Sequence, residues 1–547
     1  MTSYLLPHAL PETEHVLAVR GVGGYRQYRI PALAVSRRGT LLAAYDGRPN
    51  LDDLPNTIDL LLRRSFDNGV TWGEQQLVRT GSGLNGYGDP SLLVDARTGR
   101  IFMFQAAGTH AGFFEAIAGL APDDDVQHAD VSYSDDDGET WQHRRLTASL
   151  KSADAGITGL FAAAGQGIQV HTGPYAGRLV QQYVLLVDGE IQAASAYSDD
   201  HGDSWQLGEF IGAGTSGVGP NENKVVCLSD GRLLLHSRAT PCRLASLSDD
   251  GGQSWSALAP VPDLPDPSDN GSLTRFDGLP TIDSLAKPET DHWLIASNNQ
   301  DPHLRRNTVL SLSPDNGASW PAKLVLCEGS SAYSTATRLP DGNIGVLYER
   351  QGYREIVFAS VPAEQLYRQL ASVPAAVPAM EPLSFHMELR SVTPGRPEEW
   401  QNAGEFHVIP SNSEGQWDVQ TWKEIGQGYN GSDQVLGTRE AQDLNYGPII
   451  PGYKAGDILA FTGRIRNRGN QAMTGVVLQG PHHHQFPAVD LAPGEHTLYF
   501  TPSYMVTDAD VEAGALELTF TAEADGGRSR SERRFRFDMR TGDVAAS

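Results

Sequence analysis

The sequence predicts an all-β chain: a six-bladed β-propeller followed by an Ig-like β-sandwich. Three observations carry this. An eight-residue turn pattern recurs five times, six short apolar strands alternate with those turns, and the strand rhythm changes after a Pro/Ala-rich stretch near residue 375. Composition agrees, because 58 Gly and 33 Pro in 547 residues favour many tight turns over long helices. At roughly 150 residues per unit, length alone would suggest three or four domains. The repeats merge most of that length into one.

The turn pattern Ser-x-Asp-x-Gly-x-(Thr/Ser)-Trp begins at Ser65, Ser134, Ser198, Ser248 and Ser313 and ends at Trp72, Trp141, Trp205, Trp255 and Trp320. Asp and Ser side chains bond nearby backbone N–H groups and close a turn. Gly supplies a positive φ without a Cβ clash. The Trp ring is expected to pack on the hairpin that it closes. A calcium site in each turn is the competing reading; a structural turn remote from any chemistry is the simpler one.

Six apolar strands interleave with these turns. Five follow a glycine turn: Thr40–Tyr45, Arg100–Gln105, Arg178–Tyr183, Arg232–His236 and Asn343–Tyr348; a sixth, Asp291–Ser297, lacks the glycine. Antiparallel strands recurring at this interval read as propeller blades. The propeller is therefore assigned to residues 1–365 and a Pro/Ala-rich linker to 366–385. The sandwich takes 386–547, where Leu459–Ile465 and Leu516–Ala522 alternate apolar and polar residues.

Charge excludes some functions. Lys and Arg total 42 against 67 Asp and Glu, a net charge of −25, which argues against nucleic-acid or anionic-membrane surfaces. Cys227, Cys242 and Cys327 form neither a disulfide framework nor a zinc pattern. No apolar run reaches 18 residues, so no membrane span is expected. The N-terminus lacks a signal-peptide pattern, so the expectation is a cytoplasmic protein, or a secreted one whose signal has been trimmed. Asp123-Asp124-Asp125 reads as a solvated loop rather than a calcium site, and His482-His483-His484 as a hairpin tip rather than a metal tract.

Propellers hold ligands over their axis, so chemistry is expected where the strands end. Several arginines occur there in an otherwise acidic chain: Arg29, Arg48, Arg238, and the neighbours Arg305 and Arg306. Guanidinium forks match carboxylate or phosphate oxygens, which suggests a small anionic ligand. Each arginine alone would more simply pair with a surplus surface carboxylate; the set at equivalent strand ends favours a site.

Tyr28-Arg29-Ile30-Pro31 followed by five Asp boxes resembles the bacterial exo-α-sialidases (neuraminidases), most of all actinobacterial members, over residues 10–365. The resemblance implies hydrolysis of terminal α-linked sialic acids on sialylated glycoconjugates, with retention and without metal or organic cofactor. It assigns the carboxylate clamp to Arg29, Arg238 and Arg305, with Arg306 the competing neighbour. Arg48 would sit near the acid/base loop, where Asp53 fits the acid/base and Asp52 is its rival. Tyr333 would be the nucleophile, Glu222 its paired carboxylate, Glu349 the support of Arg29, and Asp89 a substrate contact. Phe113-Phe114 are candidates for the acetyl pocket. Trans-sialylation, cleavage of deaminated sialic acids, and a non-catalytic sugar-binding propeller remain alternatives.

Overall fold

The computed structural model describes residues 4–82, 85–108, 110–120, 125–151, 156–213, 217, 219–278, 289–371, 375–376, 382–394, 406–408, 449–481, 486–497 and 500–547. Asp123, Asp124 and His482–His484 lie outside the described residues. No described helix is long and apolar enough to cross a membrane. Among the described residues no group of three or more His, Cys, Asp or Glu is placed to hold a metal, and the three cysteines are free thiols.

Six antiparallel sheets surround one axis. The first runs outward through Gln27–Val35, Leu41–Arg48, Asp59–Ser65 and Gln76–Arg79. The next four repeat that order, with second strands Ile101–Gly108, Leu179–Val187, Leu233–Ser237 and Leu294–Asn299. These second strands and Ile344–Arg350 of the sixth blade contain or overlap the six apolar runs. The long strand Ala322–Arg338 pairs as the outer strand of blade five and continues as the inner strand of blade six. Blade six takes its outer strand, Thr13–Val19, from the other end of the chain, which closes the ring. This explains why six blades carry five Asp boxes. Each box joins the third and fourth strands of a blade, and in blade six those strands are not consecutive.

The boxes differ from expectation in one respect. Each Trp packs on the preceding blade rather than only on its own hairpin. Trp205 lies edge-on to Phe104 at 5.0 Å, and Trp72 meets Phe358 of blade six at 4.9 Å. The glycine shares this duty: a Cβ on Gly69 would sit 2.1 Å from the Phe358 ring, and φ there is +86°. The box is thus a turn and an inter-blade clasp at once.

After a short helix, Ala363–Tyr367, comes the strand Leu383–Thr393. That strand pairs with Ile458–Asn467, and a facing sheet is built on Met473–Gln479, Ala515–Ala524 and Ser529–Asp538. Phe385, Phe461, Phe520 and Phe535 fill the space between the sheets, the arrangement of a β-sandwich. The sandwich packs on the cavity side of the propeller. Arg354 reaches Asp543 at 2.8 Å, and Gln27 Nε2 donates to the Val392 carbonyl at 2.8 Å.

Candidate active site

Strand direction places the predicted residues on one face. The first-blade inner strand leaves this face at Gln27, and the second strand returns to it at Arg48; the Asp boxes occupy the opposite face. A cavity of about 290 Å³ opens there, lined by Arg29, Asp53, Asp89, Glu222, Arg238, Arg305 and Tyr333. Arg48 and Glu349, almost completely buried, stand behind it.

Local backbone irregularity aims several of these groups. Strand register shifts beside Arg29, across Asp89 and across Tyr333. Such bulges turn a side chain out of the regular pleat and often mark sites. Ile30 and Asp89 hold φ of +63° and +61°, a strained region for a β-branched residue above all.

Glu349 ties the strained segment together. It receives Arg29 Nε at 3.0 Å and Nη2 at 3.4 Å, the Ile30 amide at 2.8 Å and the Tyr333 amide at 3.2 Å. One buried carboxylate therefore fixes an arginine and two backbone positions about 300 residues apart, in the first and sixth blades. Burial alone would favour the neutral form of Arg29, but Glu349 and its neighbours hold its pKa well above the ordinary value.

Tyr333 is the centre of the site. Its hydroxyl donates to Glu222 Oε2 at 2.6 Å and accepts from Arg238 Nη1 at 2.5 Å; the same Nη1 also donates to Glu222. The guanidinium carbons of Arg29, Arg238 and Arg305 lie 5.0, 6.0 and 5.1 Å from its ring centroid. Desolvation pushes the phenol pKa upward, and the adjacent arginines offset only part of that rise.

Geometry separates the rival neighbours. Asp53 lines the cavity with a side chain 54% exposed to its mouth, although protein surrounds it, whereas the Asp52 carboxylate is turned into its own loop and accepts from Asn50 at 3.0 Å. Arg305 enters the cavity and bonds the Tyr353 hydroxyl at 2.9 Å, while Arg306 turns to Glu388 of the sandwich at 2.7 Å. Burial acts to raise the Asp53 pKa, but Arg48, Arg29 and Arg238 outweigh it and hold the carboxyl below its usual range. Asp89 moves the other way: burial, then the charges of Asp46 and Asp53, push it well up.

Two residues of the site escaped the sequence reading. Asp46, two residues before Arg48 on the same strand, is fully buried and holds Arg48 at 2.6 Å. Its carboxyl is pushed up to about 6 by burial, against the pull of Arg48. Tyr353 lies under Arg29, 4.2 Å from the guanidinium carbon to the ring centroid, and bonds Arg305, so one phenol touches two arginines. The only sequence signal for it is a glycine turn, Gly352-Tyr353, at a strand end. Phe113 and Phe114 do border the cavity.

Three guanidiniums around a phenol–carboxylate pair, with a second carboxylate at the mouth, suit a small anionic ligand and nucleophilic chemistry. Residues 39–346 match the family model described as a BNR repeat-like domain. The chain is 46% identical over 346 residues to a sialidase of Micromonospora viridifaciens, covering 62% of this chain and 52% of that protein. It is 30% identical over 342 residues to a sialidase of Bacteroides fragilis (strain YCH46), covering 59% and 60%. It thus spans between half and three-fifths of the length of these two relatives. Among solved structures, the Hadza microbial sialidase Hz136 superposes with a TM-score of 0.58 at 26% identity, covering 65% of this chain and 69% of that one. The chain belongs to the BNR repeat-like family, and over its propeller it is similar to bacterial sialidases.

Proposed function

We propose that this chain is a retaining exo-α-sialidase that releases terminal α-linked sialic acid from glycoconjugates. Residues 1–365 would form the catalytic unit, 366–385 the connection and 386–547 an accessory unit. The observation that carries the reading is the 2.6 Å bond from Tyr333 to Glu222 within the arginine cluster.

Arg29, Arg238 and Arg305 hold the carboxylate on the anomeric carbon of the sugar. Two unit charges about 4 Å apart interact by roughly 4 kcal/mol at an effective dielectric of 20, so a triple clamp binds firmly. A carboxylate nucleophile would be repelled by that same substrate group; a neutral tyrosine is not, and sialidases depart from the two-carboxylate scheme for this reason. A phenol is a weak nucleophile near neutrality, since its ordinary pKa is about 10, and burial weakens Tyr333 further. Glu222 supplies the base: it takes the phenol proton as Tyr333 oxygen attacks the anomeric carbon.

The bond to the departing alcohol breaks as Asp53 protonates its oxygen. Water then attacks the same carbon, Asp53 takes its proton, and the Tyr333 oxygen leaves and recovers the proton from Glu222. Two displacements give net retention. Arg48, Arg29 and Arg238 favour the carboxylate form of Asp53. A bound substrate carboxylate offsets those charges, so the acid form becomes accessible when there is a bond to cleave.

Release of a fluorescent phenol from an aryl α-sialoside tests the activity. Tyr333→Phe is expected to lower kcat on the order of 10³-fold or more. Full activity in that variant would remove the nucleophile assignment. Proton NMR is expected to show the α anomer of free sialic acid as first product; the β anomer first would exclude retention, and sugar appearing only on an added acceptor would favour transfer.

A further inference from the structure

The sandwich touches the propeller beside the arginine clamp. Arg306, the residue after Arg305, pairs partly buried with Glu388 on the first sandwich strand at 2.7 Å, and its Nη1 lies 3.1 Å from His386 on that strand. The strand Arg306–Ser313 begins directly after the bend that carries Arg305, so holding Arg306 on the sandwich anchors the point from which Arg305 reaches the cavity. The next residue of the sandwich strand makes a second connection. Ser330 Oγ donates to the Leu389 carbonyl at 2.5 Å and accepts from the Gly352 amide at 3.2 Å. Gln351, Gly352 and Tyr353 all have positive φ, between +54° and +62°, so this turn is strained and depends on its surroundings. A Cβ on Gly352 would lie 2.9 Å from Leu389, which shows how closely the strand backs the turn. The turn presents Tyr353, which contacts both Arg29 and Arg305.

We propose that the sandwich strand Leu383–Thr393 is a positioning element of the carboxylate clamp, with Glu388 its principal positioning residue. Glu388 does not meet the substrate. It keeps Arg306 out of the site and Arg305 in it, while Leu389 holds the turn that carries Tyr353. The accessory unit thereby acts on substrate binding rather than serving as a spacer. This rests on the sialidase reading of the cavity.

A clamp that grips the same carboxylate in ground and transition states contributes uniform binding, and weakening it raises KM while sparing kcat. A merely structural loss behaves otherwise: it reduces the folded fraction, which lowers apparent kcat but leaves KM unchanged. In the full chain, Glu388→Ala is expected to raise KM for the aryl α-sialoside about tenfold, with kcat per folded enzyme within about twofold. Glu388→Gln, which still accepts a bond from Arg306, is expected to restore most of the affinity, and it keeps the test alive should the alanine variant fail to fold. Unchanged KM in both variants would overturn the proposal. Calorimetric titration with free sialic acid separates the two readings. A wild type that neither cleaves the sialoside nor binds the sugar removes both; one that does, with Glu388→Ala indistinguishable from it, removes only this one.

Discussion

On the distal face of the propeller, five turns repeat the same bonds within five residues of chain; on the cavity face, no two blades contribute the same set of residues. In the first box Ser65 Oγ receives the Gly69 amide at 2.9 Å and Asp67 receives the Thr71 amide at 2.8 Å. In the cavity, Tyr333 meets Glu222 across 111 residues and Glu349 meets Arg29 across 320. The ring converts one sort of order into the other. Repeated local turns fix the blades, and fixed blades bring unrelated strand ends to one axis.

The largest expected contrast lies in how each face bears loss of a carboxylate. Glu349→Ala strands a buried guanidinium and two backbone amides, so unfolding in urea should show a loss of about 3–5 kcal/mol. Catalytic efficiency should fall with it, because Arg29 loses its orientation. Asp135→Ala on the distal face removes a pair with Arg100 at 2.7 Å, but Asp135 is half exposed, so about 0–1 kcal/mol is expected. Equal losses would mean that the cavity face is no more tightly determined than the turns.

The same contrast sets what the sequence could show. The boxes were legible because their bonds are local, and local bonds leave a fixed spacing in sequence. Their inter-blade role was not, because Phe102 and Phe358, the rings that Gly202 and Gly69 approach, have no fixed spacing from them. The cavity residues carry no period, and only likeness to a known motif order could assemble them. Bulges at Ile30 and Asp89 follow from a φ that composition does not record, since neither residue is glycine. Tyr353 was hidden because its importance comes from what the fold brings above it. Of the neighbours Asp52 and Asp53, and Arg305 and Arg306, only Asp53 and Arg305 line the cavity; which of two adjacent side chains faces the axis is something that pattern alone leaves open.

Within the distal face, burial grades the five tryptophans. Trp320 is 1% exposed in the blade-four core and its ring lies 5.6 Å from that of His236, whereas Trp141 is only half-buried. Trp320→Ala is expected to cost about 3–5 kcal/mol in denaturant unfolding, and Trp141→Ala about 1–2 kcal/mol. If both cost the same, the box acts as a self-contained turn and the clasp between blades contributes nothing.

The smallest effect concerns the box carboxylates themselves. In all five copies the aspartate is held below its ordinary pKa, and Asp136 is brought to about 2 by the Thr140 hydroxyl at 2.5 Å and the Thr140 amide at 2.9 Å. An acid whose folded pKa is depressed stabilises the fold above its unfolded value, near 3.9, and loses that contribution as pH falls toward the folded value. Wild-type stability should therefore decline between about pH 4 and pH 2. Asp136→Asn keeps the shape but no longer titrates, so it should be less stable than wild type at pH 7 and should converge with it by about pH 2. A difference that stays constant across that window would assign the loss to turn geometry instead of the carboxylate charge. The Asp136 box, on the face away from the cavity, is the cleanest place to make that measurement, because the cavity carboxylates are coupled to arginines that would shift the profile for other reasons.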